Sequence, residues 1–162
     1  MSTNPKDLLK MSNPWHLLAT GFGSGLAKYV PGTMGTLAAI PFYLLLAQLP
    51  FGWYLVAVLV AALIGVKICT ITSGDMKVHD HGSIVWDEFV GFWITMAIAP
   101  TVSWQWVLTG FILFRFFDMV KPWPISWLDK HVKGGFGIMV DDILAGFMAM
   151  IALWVVGYWL GF

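Results

Sequence analysis

Five carboxylates in three places are what this chain offers to chemistry: Asp87-Glu88, Asp118 and Asp141-Asp142. Each stands where a polar segment meets a long apolar run. Asp87-Glu88 is followed at once by F-V-G-F-W-I-T-M, Asp118 lies just before the helix-stopping Pro122, and Asp141-Asp142 opens the uncharged C-terminal run. Ionised side chains cost about 2.5–3.5 kcal/mol each at the middle of a bilayer and less near its surface. Clustered carboxylates also repel one another. A bound divalent cation relieves both costs, and an all-oxygen ligand set selects Mg²⁺ or Mn²⁺ over zinc. The five are therefore the expected metal ligands and catalytic groups. Acids at helix N-termini also complement the helix dipole, which accounts singly for Asp87, Glu88, Asp141 and Asp142. It does not account for Asp118, whose place is the end of a helix.

Arg115, Asp118 and Lys121 recur at steps of three and so share one helix face. An ion pair explains two of them. The set also suits a phosphate held by Arg115 and Lys121 beside a metal held by Asp118. Upstream, Y-V-P-G-T-M-G-T over 29–36 opens an apolar run. The free amides of a helix start, the Thr33 and Thr36 hydroxyls and the nearby Lys28 would suit an anion such as phosphate. A Thr-capped helix start is the plainer account of the same residues. His79, Asp80 and His81 lack the helical i, i+4 spacing of a metal pair and read as solvated loop residues, with His81 near enough to the acidic pair to meet a substrate. Lys130, His131 and Lys133 read as headgroup contacts or solvated charge, and Cys69 as helix packing.

The elements that must position these groups are apolar. The 162 residues are 59% hydrophobic and 11% charged, with a mean hydropathy of +0.78, ten Trp and twelve Phe. That composition lies outside the soluble globular range, and the zero net charge gives no reason to expect nucleic acid as a partner. All charges fall in 6–28, 67–88 and 115–142. The uncharged gaps carry turn signals at Leu49-Pro50-Phe51-Gly52 and Ala99-Pro100-Thr101. The expected fold is an all-α integral membrane protein forming a single domain over 1–162. About five transmembrane helices, near 35–49, 53–71, 86–99, 104–118 and 142–161, make a small bundle over 29–162. Residues 1–28 form an N-terminal interfacial or re-entrant segment, in which Gly21, Gly23 and Gly25 are read as helix-packing glycines. Four crossings, with 89–114 as one long helix, would put the charged blocks on opposite faces. Five put every basic residue on or next to one side, which the positive-inside rule makes the cytoplasm.

Four motifs in order carry a resemblance: Y-x-P-G-T-x-G-T-L-A-A-I-P from Tyr29, W-D-E-F-V-G-F from Trp86, R-x-F-D-x-x-K-P-x-P from Arg115 and G-G-x-G-I-M-x-D-D-x-x-A-G from Gly134. Over roughly residues 20–150 the chain resembles the phosphatidylglycerophosphatase A family. The resemblance implies a Mg²⁺-dependent phosphatase of the bacterial inner membrane, acting on the phospholipid phosphatidylglycerophosphate to give phosphatidylglycerol and phosphate. One or two Mg²⁺ ions on Asp87, Glu88, Asp118, Asp141 and Asp142 would activate a water, with Arg115, Lys121, Lys28, Thr33 and Thr36 positioning the phosphomonoester. Attack by an Asp to give an acyl phosphate is the other route. No Arg follows Cys69 at the spacing of a thiolate phosphatase. The alternative from another class is a small cation transporter or channel using the carboxylates as its path. It predicts acids near the bilayer midplane, where these are not expected.

Overall fold

Prolines and small polar residues set where the apolar runs become helices. The Asn13 side chain accepts the Trp15 N–H with Pro14 in the first turn, and Pro31 opens the next long helix. The computed structural model describes residues 4–160, and among these it is all-helical, with no strand. The helices are α1 (Pro14–Ala19), α2 (Pro31–Leu46), α3 (Phe51–Met76), α4 (Trp86–Met96), α5 (Trp104–Val120), α6 (Ile125–His131) and α7 (Gly134–Trp159), with 3₁₀ turns at Pro5–Leu8 and Ser24–Leu26. Helix α7 is central and packs against α3, α4, α5 and α6, while α2 covers α4 and α1 lies on α3.

The expected turns fall where hairpins form. Ala47, Leu49, Ala99 and Val102 line one recess, and Pro100 approaches Gly157 near the end of α7. Both hairpin tips and that end of α7 therefore lie together, opposite the charged end. Helix α3 turns Leu55, Val56, Leu59, Val60, Leu63 and Ile64 outward and keeps Gly65, Thr72 and Ser73 buried. Apolar residues face out along most of the bundle, the distribution of a surface that meets lipid or a partner.

The expected count of five crossings is not supported. Two helices, α3 and α7 at 26 residues each, are long and apolar enough to cross a membrane, which is consistent with membrane association. Helix α2 is apolar but has 16 residues. Helix α4 has 11, about 16 Å at 1.5 Å per residue against a hydrocarbon core of about 30 Å. It is buried from Asp87 to Met96, so it fills the bundle and does not line it. The expected crossing at 142–161 starts at Gly134, and its last residue lies outside the described ones.

Two readings of glycine change. Gly21 and Gly23 have φ of 53° and 93°, in a turn between α1 and the Ser24–Leu26 turn, so both need backbone freedom. Gly21 also packs closely, as expected, on Phe89 and Val85, and Gly25 on the Ser83 carbonyl, while Gly23 packs on nothing. Gly134-Gly135-x-Gly137 reads in the sequence as a flexible approach to Asp141-Asp142, but Gly135 and Gly137 are helical. Gly135 packs on Val66 and Thr70 of α3, and Gly137 on the Val132 carbonyl.

The tightest crossing joins α4 to α7. A Cβ on Gly146 would lie 2.5 Å from the Gly91 carbonyl oxygen, and one on Gly91 would lie 2.8 Å from that of Asp142. Replacing Gly146 with Ala should therefore destabilise the fold by about 1–3 kcal/mol through overpacking. Thermal unfolding in detergent measures this, and an unchanged midpoint would show that the two helices separate at no cost.

Candidate active site

The charged end is assembled from three helices. Helix α4 starts with Asp87 and Glu88, α5 ends with Arg115 and Asp118, and α7 brings Asp141 and Asp142 in its second and third turns. The last pair does not stand at a helix N-terminus, as expected, because α7 begins seven residues earlier. The helix dipole accordingly does not explain it. Asp87, Glu88, Asp141 and Asp142 are each less than a tenth exposed.

Arg115 is the hub. Its Nη1 donates to Glu88 Oε2 at 2.8 Å and to Asp118 Oδ2 at 2.6 Å. The Thr36 hydroxyl donates to the same Glu88 oxygen at 2.7 Å. Gly32, one turn earlier on α2, passes so close that a Cβ there would collide with the Glu88 carboxylate. Gly32 and Thr36 of the sequence motif therefore seat a carboxylate. Thr33 is half-buried beside them, while Lys28 is exposed and lies over the Tyr29 ring, 5.3 Å from its centroid. Of the residues expected to position an anion, Arg115, Lys121 and Thr36 join the acids in this network, and Lys28 does not.

Lys121 closes α5 in the left-handed region, at φ 45°. Its Nζ donates to Asp141 Oδ2 and to Asp129 Oδ1, both at 2.7 Å. Burial alone would pull the ammonium below its usual value, but the hydrogen bonds to Asp129 and Asp141 outweigh it and raise it. The Lys121 hydrogen bond likewise holds Asp129 below the usual carboxylate range. Asp129 had no sequence signal, since it lies eight positions after Lys121 on the separate short helix α6. His79, read as solvated, accepts the Gly134 N–H at 2.8 Å and so ties the 77–85 loop to the start of α7. His81 accepts the Ser83 N–H, and burial together with Lys6 keeps it below its usual value.

Two acids are left over. Asp87 Oδ1 and Asp142 Oδ2 are buried without a hydrogen-bond partner, as is Arg115 Nε. Asp142 lies within electrostatic reach of Asp118, Asp87, Asp141 and Glu88. Among the described residues, no three His, Cys, Asp or Glu side chains already converge into a set that could hold a metal ion. The donor chemistry nonetheless fits a hard cation, because the two orphaned atoms are carboxyl oxygens, buried and free to take a ligand bond.

Fold and site together define an apolar, all-helical protein with one buried, ion-paired end. The phosphatidylglycerophosphatase A family model matches residues 17–157. The phosphatidylglycerophosphatase A of Escherichia coli (strain K12) is 59% identical over 153 residues, covering 94% of this chain and 89% of that protein. That of Haemophilus influenzae is 49% identical over 158 residues, 97% of each. A putative phosphatidylinositol-3-phosphatase of Bacteroides thetaiotaomicron is 37% identical over 151 residues, covering 87% of this chain and 94% of that protein. No solved structure matches. The chain belongs to the phosphatidylglycerophosphatase A family, a family of phosphatases.

Two outcomes test the geometry. Arg115→Ala strands Glu88 and Asp118, and breaking a buried pair of this kind costs about 3–5 kcal/mol, read as a lower unfolding midpoint. The Lys121–Asp129 pair adds stability that is complete above the ordinary Asp value of 3.8 and is lost as pH falls through Asp129's lowered value. Thermal midpoints of the native protein and Asp129→Asn should therefore differ at neutral pH and converge on strong acidification.

Proposed function

We propose that this chain hydrolyses the phosphomonoester of phosphatidylglycerophosphate to phosphatidylglycerol and inorganic phosphate, with Mg²⁺, at the cytoplasmic face of the bacterial inner membrane. The observation that carries the reading is the pair of dry, unpartnered carboxylate oxygens on Asp87 and Asp142, beside an arginine with a donor to spare. Mg²⁺ would be held by Asp87 and Asp142, with Glu88, Asp118 and Asp141 as the remaining acidic ligands. When bound, the ion supplies Lewis acidity toward the phosphoryl oxygens and a lowered pKa for a bound water. Arg115 keeps Nη1 on Glu88 and Asp118, while its Nε–H is left to donate to the phosphate. Lys121 supplies a second cation at the opposite edge, and Thr36 fixes the Glu88 rotamer from α2. A water or one of the Asp carboxylates attacks phosphorus, and the glycerol oxygen leaves with a proton.

Placement in the membrane rests on two aromatic bands. Exposed Trp53, Trp104, Tyr158 and Trp159 ring the hairpin-tip end, and Tyr29, Trp123 and Trp127 the charged end. The apolar flanks between them suit hydrocarbon. The basic residues, all at the carboxylate end or in the segments leading to it, make that end cytoplasmic by the positive-inside rule. A cation channel is not favoured, because the acids lie at one end of the bundle, with Glu88 and Asp118 locked to Arg115 and Asp141 to Lys121.

The decisive measurement is phosphate release by purified protein in detergent, with and without Mg²⁺. Phosphatidylglycerophosphate would be compared with phosphatidate and phosphatidylinositol 3-phosphate. Release should require Mg²⁺ and prefer phosphatidylglycerophosphate, and Asp142→Asn should lower kcat at least about a hundredfold, as loss of a preorganised electrostatic group does. Undiminished activity in Asp142→Asn, or in chelator, would reject the carboxylate site.

A further inference from the structure

Lys121 is the only expected phosphate ligand whose ammonium is shared between two carboxylates of unlike standing. Asp141 sits on the central α7 with its side chain 7% exposed, whereas Asp129 sits on the seven-residue α6 with its side chain 39% exposed. A half-exposed ion pair is weak and readily exchanged, while a buried one beside other charges is not. Both carboxylates, with His79, Asp80 and Lys133, line a cavity of about 190 Å³ at the charged end, between the 77–85 loop, α6 and α7.

We infer that Asp129 is a stand-in for the substrate's phosphate, holding Lys121 while the site is empty and yielding it to a phosphate oxygen when one arrives. The inference rests on the reading of Lys121 as a phosphate ligand and goes beyond it, by giving a role to a residue outside the acidic cluster. The chemistry of the exchange is direct. A phosphate carries more charge than a carboxylate and offers three acceptor oxygens, so it makes the stronger charge-assisted bond to an ammonium. The Lys121 backbone is pinned by its N–H to the Phe117 carbonyl at 2.9 Å, so only the side chain need re-aim. Asp141 can keep its own bond throughout, because an ammonium has three donors. Asp129 is thus a positioning residue that acts through Lys121. It keeps the lysine ammonium at the two carboxylates that line the cavity, and it competes with the product phosphate and so speeds its departure.

The test compares native protein, Asp129→Asn, Asp129→Glu and Lys121→Ala, as full chains in detergent with Mg²⁺. Inorganic phosphate is the probe, read by titration calorimetry and as a product inhibitor of phosphatidylglycerophosphate hydrolysis. Asp129→Asn should bind phosphate about two- to fivefold more tightly, the factor that an exposed ion pair is worth, with KM falling in step and kcat not rising. Asp129→Glu should behave as native. Asp129→Ser repeats the measurement should the Asn variant fold poorly. If Lys121→Ala weakens phosphate binding while the Asp129 variants leave it unchanged, the stand-in is overturned and Lys121 keeps its role. If neither position affects phosphate, Lys121 is not a phosphate ligand and both readings fall.

Discussion

One guanidinium nitrogen, Arg115 Nη1, holds the ends of two helices together. It donates to Glu88 on α4 and to Asp118 on α5, and Thr36 on α2 reaches the same Glu88 oxygen. Charges this dry persist only when paired and hydrogen-bonded. The requirement propagates outward. Residue 32 must be glycine for α2 to approach Glu88, Lys121 must turn back to neutralise Asp141, and α6 must supply Asp129. The apolar remainder of the bundle brings three polar helix ends to one place.

Apolar residues occur both inside and outside. Phe89, Phe92, Phe114 and Met139 fill the interior with small and polar residues such as Thr72, Ser73, Thr95, Gly91 and Gly146, while many leucines, valines and tryptophans face out. Thr95 bonds the Gly91 carbonyl in its own helix and the Gly146 carbonyl across the crossing. Association of α4 with α7 therefore depends on close backbone packing and hydrogen bonds, the forces that remain when the surroundings are as apolar as the side chains.

Much of this was legible in the residues. Charge blocks separated by uncharged runs located the helices and showed that the acids meet at one end. Trp86, Ser103 and Trp104 mark α4 and α5 boundaries that match the expected ones to within a few residues. The start of α7 was not legible, since Gly134, Gly135 and Gly137 are poor helix formers and read as a loop. Gly135 and Gly137 are nonetheless helical and packed on Val66, Thr70 and Val132, while Gly134 enters the helix at a φ of 76°. Only α4 is shorter than its expected span: an apolar run bounded by Pro100 reads as a crossing, but α4 ends at Met96 and is enclosed, whereas α3, α5 and α7 run longer than expected. Asp129 and His79 were missed because each acts through one tertiary hydrogen bond, Asp129 to Lys121 and His79 to Gly134.

The Gly91–Gly146 contact has a mechanical consequence. With carbonyl and Cα backbones touching, α4 and α7 cannot slide or rotate against each other without a clash, so the spacing of their two acidic pairs is fixed by the main chain. The opposite side is built otherwise. Helix α6 is seven residues long, and His79 in the 77–85 loop meets the start of α7 through one hydrogen bond. The acidic end thus has one side set by main chain against main chain, where α4 crosses α7, and another closed by a helix of about two turns.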